Sequence, residues 1–309
     1  MVDGDDHRLA WRDLPEQVRW AVAEKLGSRV AHAAGQRGGY GPGVAARCLL
    51  ADGRRVFVKA ASSAQNPDTP TMMRREGAIA AALPGGVPAP ALLSVIDDGT
   101  WVVLVFEDVD GALPATPWEK NELCRVVRAI GDLSHRVGPP SLPSVVQIYR
   151  PLFTGWRDLA AGDRRAIDDP WCRDHIVELV DLEAAWEEAA TGDRLVHGDL
   201  RSDNVLLTTD GRVLFVDWTS ACVGAEPFDL LAMLPSVELE GGGTPEDVLE
   251  LVGAELDANI VVPIVAAIAG YFAERGRLPD PPGLPTLRAF QRAQGTVTVA
   301  WLRRLLALA

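Results

Sequence analysis

Four polar side chains, His197, Asp199, Asn204 and Asp217, stand at a spacing that suits phosphoryl transfer. Three of them fall in Leu195-Val-His-Gly-Asp-Leu-Arg-Ser-Asp-Asn-Val-Leu-Leu207, an HxDxxxxN pattern, and the fourth in Val213-Leu-Phe-Val-Asp217-Trp218. Phosphoryl transfer asks a protein chiefly for positioning and for neutralisation of charge. An aspartate can accept the proton of an attacking hydroxyl, which suits Asp199. Mg2+ is a hard cation that prefers oxygen, which suits the amide oxygen of Asn204 and the carboxylate of Asp217. His197, two residues before the candidate base, is suited to orienting the loop by hydrogen bonding. An ordinary Asp- and Asn-rich turn could carry the same residue types. The turn Asp210-Gly211 between two apolar strands, followed by Asp217 thirteen residues after Asn204, makes the fuller pattern.

Elements upstream must supply charge for phosphates. Lys25, Lys59 and Lys120 are the only lysines. Lys59 lies in Arg55-Val-Phe-Val-Lys-Ala60, an apolar strand pattern joined to a strand at 44–50 by the turn Asp52-Gly53. Burying an unpaired ammonium is costly, so Lys59 is expected to have partners. Glu76 lies early in a helix expected over 71–83 and by itself reads as a solvated helix residue. A glycine cluster, Gly38-Gly39-Tyr40-Gly41-Pro42-Gly43, precedes these strands. Backbone without Cβ atoms can approach phosphates closely, so Gly39, Tyr40 and Gly41 are candidates to cover a nucleotide. The cluster does not match GxGxxG.

The His197 to Asn204 motif with Val216-Asp217-Trp218 resembles the aminoglycoside phosphotransferase and choline-kinase-like family of the protein-kinase-like superfamily. The resemblance runs over roughly residues 30 to 305 and is sharpest at 195 to 235. It implies ATP and Mg2+ as cofactors, Asp199 as the catalytic base, and Asn204 and Asp217 as the metal ligands. It also implies that Lys59, paired with Glu76, meets nucleotide phosphates. By the same resemblance, 102–111 is a hinge where adenine would bond to backbone near Glu107 and Val109. The implied acceptor is a small-molecule hydroxyl, on an aminoglycoside or another amino sugar or antibiotic. Choline, homoserine, sugar and ketoamine acceptors are the alternatives, and a catalytically silent nucleotide-binding regulator is a further one. Asp217 precedes Trp218-Thr219 rather than Phe-Gly, which disfavours a protein kinase.

The expected fold is α+β and bilobal. An N-lobe at 1–107 would hold an N-terminal helix near 13–26, an antiparallel sheet and one inserted helix. A helical C-lobe at 108–309 would hold the catalytic loop and the metal-binding hairpin. Long helices are expected at 117–137 and within 169–190, with a Pro-rich connection at 139–151. An apolar stripe Leu287, Phe290, Val297, Trp301 and Leu305 is expected to face the core. Asp229 is expected to cap a helix start. Glu238, Glu240 and Asp247 read first as a solvated acidic face, with a pocket for a cationic acceptor as the other reading.

Composition agrees with a folded enzyme. The 309 residues are 48% hydrophobic and 24% charged, too apolar for a disordered chain. A net charge of −13 disfavours nucleic acid as a partner and permits a cationic acceptor. Met1-Val-Asp-Gly-Asp-Asp lacks a signal-peptide core, and the apolar stretch 260–272 is broken by Pro263 and Gly270, so no membrane association and a cytoplasmic location are expected. Cys48, Cys124, Cys172 and Cys222 are scattered and are expected to be reduced.

Overall fold

The protein is described by a computed structural model at residues 8–36, 43–163, 165, 167–281 and 286–308. Among the described residues the chain divides into two compact units. One runs up to Ala112 and takes in Leu206–Thr219; the other holds Leu113–Val205 and resumes at Ser220.

The first unit opens with α1 (Glu16–Leu26), β1 (Val30–Gly35), β2 (Val44–Leu50) and β3 (Arg55–Ser62). It continues through α2 (Thr69–Ala82), β4 (Leu92–Asp97), β5 (Trp101–Glu107) and β6 (Gly111–Ala112). Strands β1 to β5 form an antiparallel sheet in the order β1-β2-β3-β5-β4. The two-residue period sorts its side chains. Val56, Val58 and Ala60 of β3 join Trp101, Val103 and Val105 of β5 in a core with Val18 and Val22 of α1. The intervening Ala61, Val102, Leu104 and Phe106, with Phe57, form a second core with Met73 and Ala80 of α2. Lys59 alternates with Val58 and Ala60 and so falls on the α2 face. Gly77 lets α2 come close, since a Cβ there would stand 2.8 Å from Leu104 Cδ2.

Pro15 stands at the N-cap of α1, so the helix expected near 13–26 begins only at Glu16. The strand β1 gave no sequence signal. Its Val30-Ala-His-Ala-Ala-Gly35 is mostly exposed at the sheet edge, so no apolar alternation marks it.

The second unit begins with α3 (Lys120–Ser134), α4 (Val145–Tyr149) and α5 (Gly155–Ala161). Next come α6 (Pro170–Asp174), α7 (Ile176–Ala184), α8 (Trp186–Ala189) and β7 (Arg194–Val196). The helix expected within 169–190 is therefore three short ones. The buried Glu183 of α7 accepts from the N–H groups of Trp156 (2.9 Å) and Arg157 (3.1 Å), satisfying orphan donors at the start of α5.

After β7 the chain passes through β8 (Val205–Thr208) and β9 (Val213–Phe215), then β10 (Cys222–Gly224), α9 (Phe228–Leu239), α10 (Pro245–Val252), α11 (Ala258–Arg275) and α12 (Leu287–Leu308). The 206–219 hairpin groups with the first unit, so the division departs from the boundary expected at residue 107. The reasons are local. β8 pairs with β6, Gly111 opposite Thr208, and the Phe215 N–H donates to the Pro88 carbonyl at 2.7 Å.

The apolar stretch 260–272 sits in α11, whose 18 residues are long and apolar enough to cross a membrane by length and composition. Val261 to Gly270 are buried, and α11 packs against α5, α7, α8, α9 and α12. The buried face of α12 also differs from the apolar stripe: of the five stripe residues only Trp301 is buried, while Gln291, Gln294 and Thr298 are. Gln294 Nε2 donates to Ser236 Oγ (2.6 Å) and Thr298 Oγ1 to the Gln294 carbonyl (2.7 Å). These bonds allow polar side chains to be buried. The four cysteines are free thiols.

Candidate active site

In the first unit, β3 and α2 bring Lys59 Nζ to 2.5 Å from Glu76 Oε1. Asp217 Oδ1 lies 3.6 Å from the same ammonium. Burial lowers the proton affinity of Lys59, but the charges of Glu76 and Asp217 outweigh it and hold the ammonium above its ordinary value. Glu76 is buried. Desolvation raises its pKa against the attraction of Lys59. Asp217 follows β9 with φ of 65°, the left-handed region that non-glycine residues rarely adopt. Its Oδ1 accepts from Thr219 Oγ1 at 2.7 Å. Trp218 is buried, and its Nε1–H donates to the Phe215 carbonyl at 2.9 Å, which closes the turn around Asp217.

In the second unit, β7 pairs with β10 and delivers the chain into the loop from His197. His197 is fully buried. Its Nδ1 accepts from the Asp199 N–H at 3.3 Å, which makes the histidine an internal brace of the loop. Gly198 has φ of 83°. A Cβ there would stand 2.6 Å from the Ser220 carbonyl oxygen, so the position admits only glycine without rearrangement. The buried Asp229 accepts from the His197 N–H (2.7 Å) and the Gly198 N–H (2.8 Å). Asp229 thus braces the loop and does not cap its own helix α9, which corrects the expected capping role. Burial pushes its carboxyl up to about 6, against those two N–H bonds.

The Asp199 side chain is 42% exposed, the most open of this group. Arg201 Nη1 reaches Asp199 Oδ1 at 3.0 Å, and Arg201 Nε reaches Asp203 Oδ1 at 3.0 Å. Asn204 Nδ2 donates to the Asp199 carbonyl at 2.8 Å. The amide nitrogen being so engaged, the amide oxygen is the atom that Asn204 can offer a cation. Among the described residues no group of three or more His, Cys, Asp or Glu gathers as a metal cage. An amide oxygen, like a carboxylate, is a donor type that suits Mg2+, a hard cation.

Glu107 ends β5, where its N–H donates to the Ala91 carbonyl at 2.9 Å, and Val109 lies in the connection to β6. Between them Asp108, whose side chain is only 4% exposed, takes Arg47 Nε (2.6 Å) and Arg55 Nε (2.8 Å). Burial opposes ionisation there, but the two guanidiniums hold the carboxyl below its usual range. Gly39, Tyr40 and Gly41 lie outside the described residues. The acidic trio is engaged. Glu238 pairs with Arg304 (3.4 Å), Asp247 caps α10 through Thr244, and Glu240 accepts from Ser202 Oγ (2.7 Å) and Trp118 Nε1 (2.9 Å).

Sequence reasoning missed Arg201, Asp108 and Tyr149. Arg201 stands inside the motif and could have been found by its spacing from Asp199. Tyr149 gave no signal, because α4 is a five-residue helix inside the Pro-rich connection.

The chain matches the phosphotransferase enzyme family over residues 43–262. No curated protein matches it. Among solved structures it is similar to a choline kinase from Streptococcus pneumoniae, with 12% identity, TM-score 0.58, and 92% of this chain and 100% of that one covered. It is similar to aminoglycoside 2'-phosphotransferase-IIIa, solved with GDP, at 14% identity and TM-score 0.57, covering 95% of this chain and 99% of that one. It is also similar to an amicoumacin kinase solved with AMP-PNP and Ca2+, at 12% identity and TM-score 0.56, covering 93% and 94%. At these identities the likeness establishes the kinase-like α+β fold.

Proposed function

The chain belongs to the phosphotransferase enzyme family, and from that premise we propose that it transfers the terminal phosphate of ATP to a hydroxyl of a small molecule in the cytoplasm. The observation that carries this reading is the Lys59 ammonium flanked by Glu76 at 2.5 Å and Asp217 at 3.6 Å. A strand lysine held charged by two carboxylates is fitted to phosphate oxygens. The nucleotides bound by the amicoumacin kinase and the aminoglycoside phosphotransferase support a nucleotide as the donor.

The roles follow from chemistry. Asp199 accepts or orients the proton of the attacking hydroxyl. His197 braces the loop that carries it. Asn204 and Asp217 would hold Mg2+, which when bound would supply charge neutralisation for the phosphates. Lys59, set by Glu76, pairs with phosphate oxygens, and backbone near Glu107 and Val109 receives the base.

For the acceptor we propose an aminoglycoside-like or other amino-sugar antibiotic, and with it a role in antibiotic resistance. The chain's charge of −13 suits a cation. A coupled ADP-release screen over aminoglycosides, amino sugars, choline, homoserine, ketoamines and sugars tests this, with Asp199→Asn as control. Stimulation by an amino-sugar antibiotic, lost in the control, supports the reading. Stimulation by choline or another metabolite alone makes it a metabolite kinase. Tight Mg-ATP binding with no turnover on any acceptor makes it a nucleotide-binding regulator.

A further inference from the structure

The peptide joining Gly198 to Asp199 is held at both of its polar atoms. Its N–H, on Asp199, donates to His197 Nδ1 at 3.3 Å. Its carbonyl, on Gly198, accepts from Tyr149 Oη at 2.5 Å. The preceding N–H of Gly198 is held by Asp229. Rotation about the Gly198 backbone would swing Asp199, and glycine itself resists such rotation least of any residue. Restraint at this point must come from neighbours.

Tyr149 is built to supply it. Its ring stacks on Phe153, with centroids 5.1 Å apart and planes at 30°, and meets Phe228 at 5.3 Å. The helix α4 that carries it starts at a capping box of Ser144 and Gln147. Ser144 bridges to Val223 of β10, the partner of β7, the strand that leads into the loop. Val145 of α4 packs so closely on Gly224 that a Cβ there would stand 2.4 Å from Val145 Cγ2. Burial, then nearby negative charge including Asp199 and Asp229, raises the phenol well above its ordinary value, so it remains a neutral donor. Tyr149 Oη would also stand 2.9 Å from a Cβ on Gly198, so hydroxyl and glycine fit each other.

We propose that Tyr149 is a positioning residue for Asp199, its hydroxyl locking the Gly198–Asp199 peptide so that the carboxylate is presented in one orientation. This rests on the reading of Asp199 as the base. The test is Tyr149→Phe, which keeps the ring and removes the hydroxyl. Hydrogen exchange of the amides in 195–204 is measured by mass spectrometry, beside steady-state ADP release from Mg-ATP with the acceptor from the screen, or with water. Exchange in that segment should rise roughly tenfold while the rest of the unit is unchanged, as expected for a lost hydrogen bond. Turnover should fall roughly tenfold or more with KM for ATP within about threefold, since misplacement affects kcat more than binding. Unchanged exchange in 195–204 overturns the proposal, as does a rise spread evenly over the chain, which would report general loosening. Turnover within about twofold of wild type despite faster local exchange also overturns it. Asp199→Asn is run in parallel. Near-wild-type turnover there would defeat the base reading by itself, without altering the exchange result for Tyr149→Phe.

Discussion

Lys59 and Glu76 meet at 2.5 Å although 17 residues separate them in the chain, one on a sheet strand and the other on the helix packed over it. The pair is a buried one in which the ammonium keeps a second carboxylate, Asp217, at 3.6 Å. Removing Glu76 therefore leaves Lys59 with its weaker partner. Glu76→Ala is expected to lower the unfolding free energy by about 2 kcal/mol in urea denaturation, below the range for wholly unpaired buried charges. It should also weaken Mg-ATP binding in calorimetry. Unaltered nucleotide affinity would remove Glu76 from the site.

Asp217 combines a left-handed backbone with a carboxylate proposed to hold Mg2+. Asparagine tolerates that backbone better than other non-glycine residues. Asp217→Asn should thus fold with a melting temperature near that of wild type, yet lose roughly a hundredfold or more in turnover and require far more Mg2+. Asp217→Val should lose stability as well, by about 1 to 3 kcal/mol, because a β-branched residue is strained at that φ.

Gly198→Ala places a methyl group 2.6 Å from the Ser220 carbonyl oxygen at a φ of 83°. The loop must shift, with a cost of about 1 to 3 kcal/mol in stability. Turnover should collapse by more than the stability loss explains, since Asp199 moves with the loop. A variant with wild-type turnover and unchanged melting would show that the loop is not rigid.

The Asp229 carboxyl is held at about 6, raised chiefly by burial. A carboxyl raised in the folded state contributes stability that is full below its unfolded value near 4 and is lost as pH rises through 6. Between pH 4 and 7 that loss amounts to about 2 kcal/mol, at 1.36 kcal/mol for each unit of pKa difference. Asp229→Asn does not titrate, so the stability of wild type relative to this variant should fall by that amount over the same window. Chemical denaturation of both proteins at several pH values reads it. A constant difference would mean that Asp229 titrates near its ordinary value.

The candidate site was legible where chemistry depends on residue type at fixed spacing. His197, Asp199, Asn204 and Asp217 lie within 21 residues, and each carries a donor or acceptor that a local loop or hairpin can present. The sheet was legible for a similar reason, since the turn Asp52-Gly53 between the runs at 44–50 and 55–60 marks a hairpin. That Lys59 needs a partner could be anticipated from the cost of burying an ammonium, but only the family resemblance pointed to Glu76.

Other features depended on contacts between distant segments and had no signature in the chain. Asp229 looks like any acidic residue in a first helical turn, and only packing shows its carboxylate on the His197 and Gly198 amides. Glu238, Glu240 and Asp247 look like a solvated face, yet each is engaged by a partner. On α12 Gln291, Gln294 and Thr298, which hydropathy assigns to solvent, are buried beside Val299, Trp301 and Leu302. Tyr149 became visible only through the backbone carbonyl it binds.

The sequence by itself determined which reactive groups exist and how they are spaced along the chain, because local backbone geometry converts short spacings into positions. Tertiary structure alone decided which groups restrain them. A hydrogen bond from Tyr149 to Gly198, or from Gly198 to Asp229, requires atoms within about 3 Å, and that proximity is created by the packing of α4 and α9, not by any pattern in the order of residues.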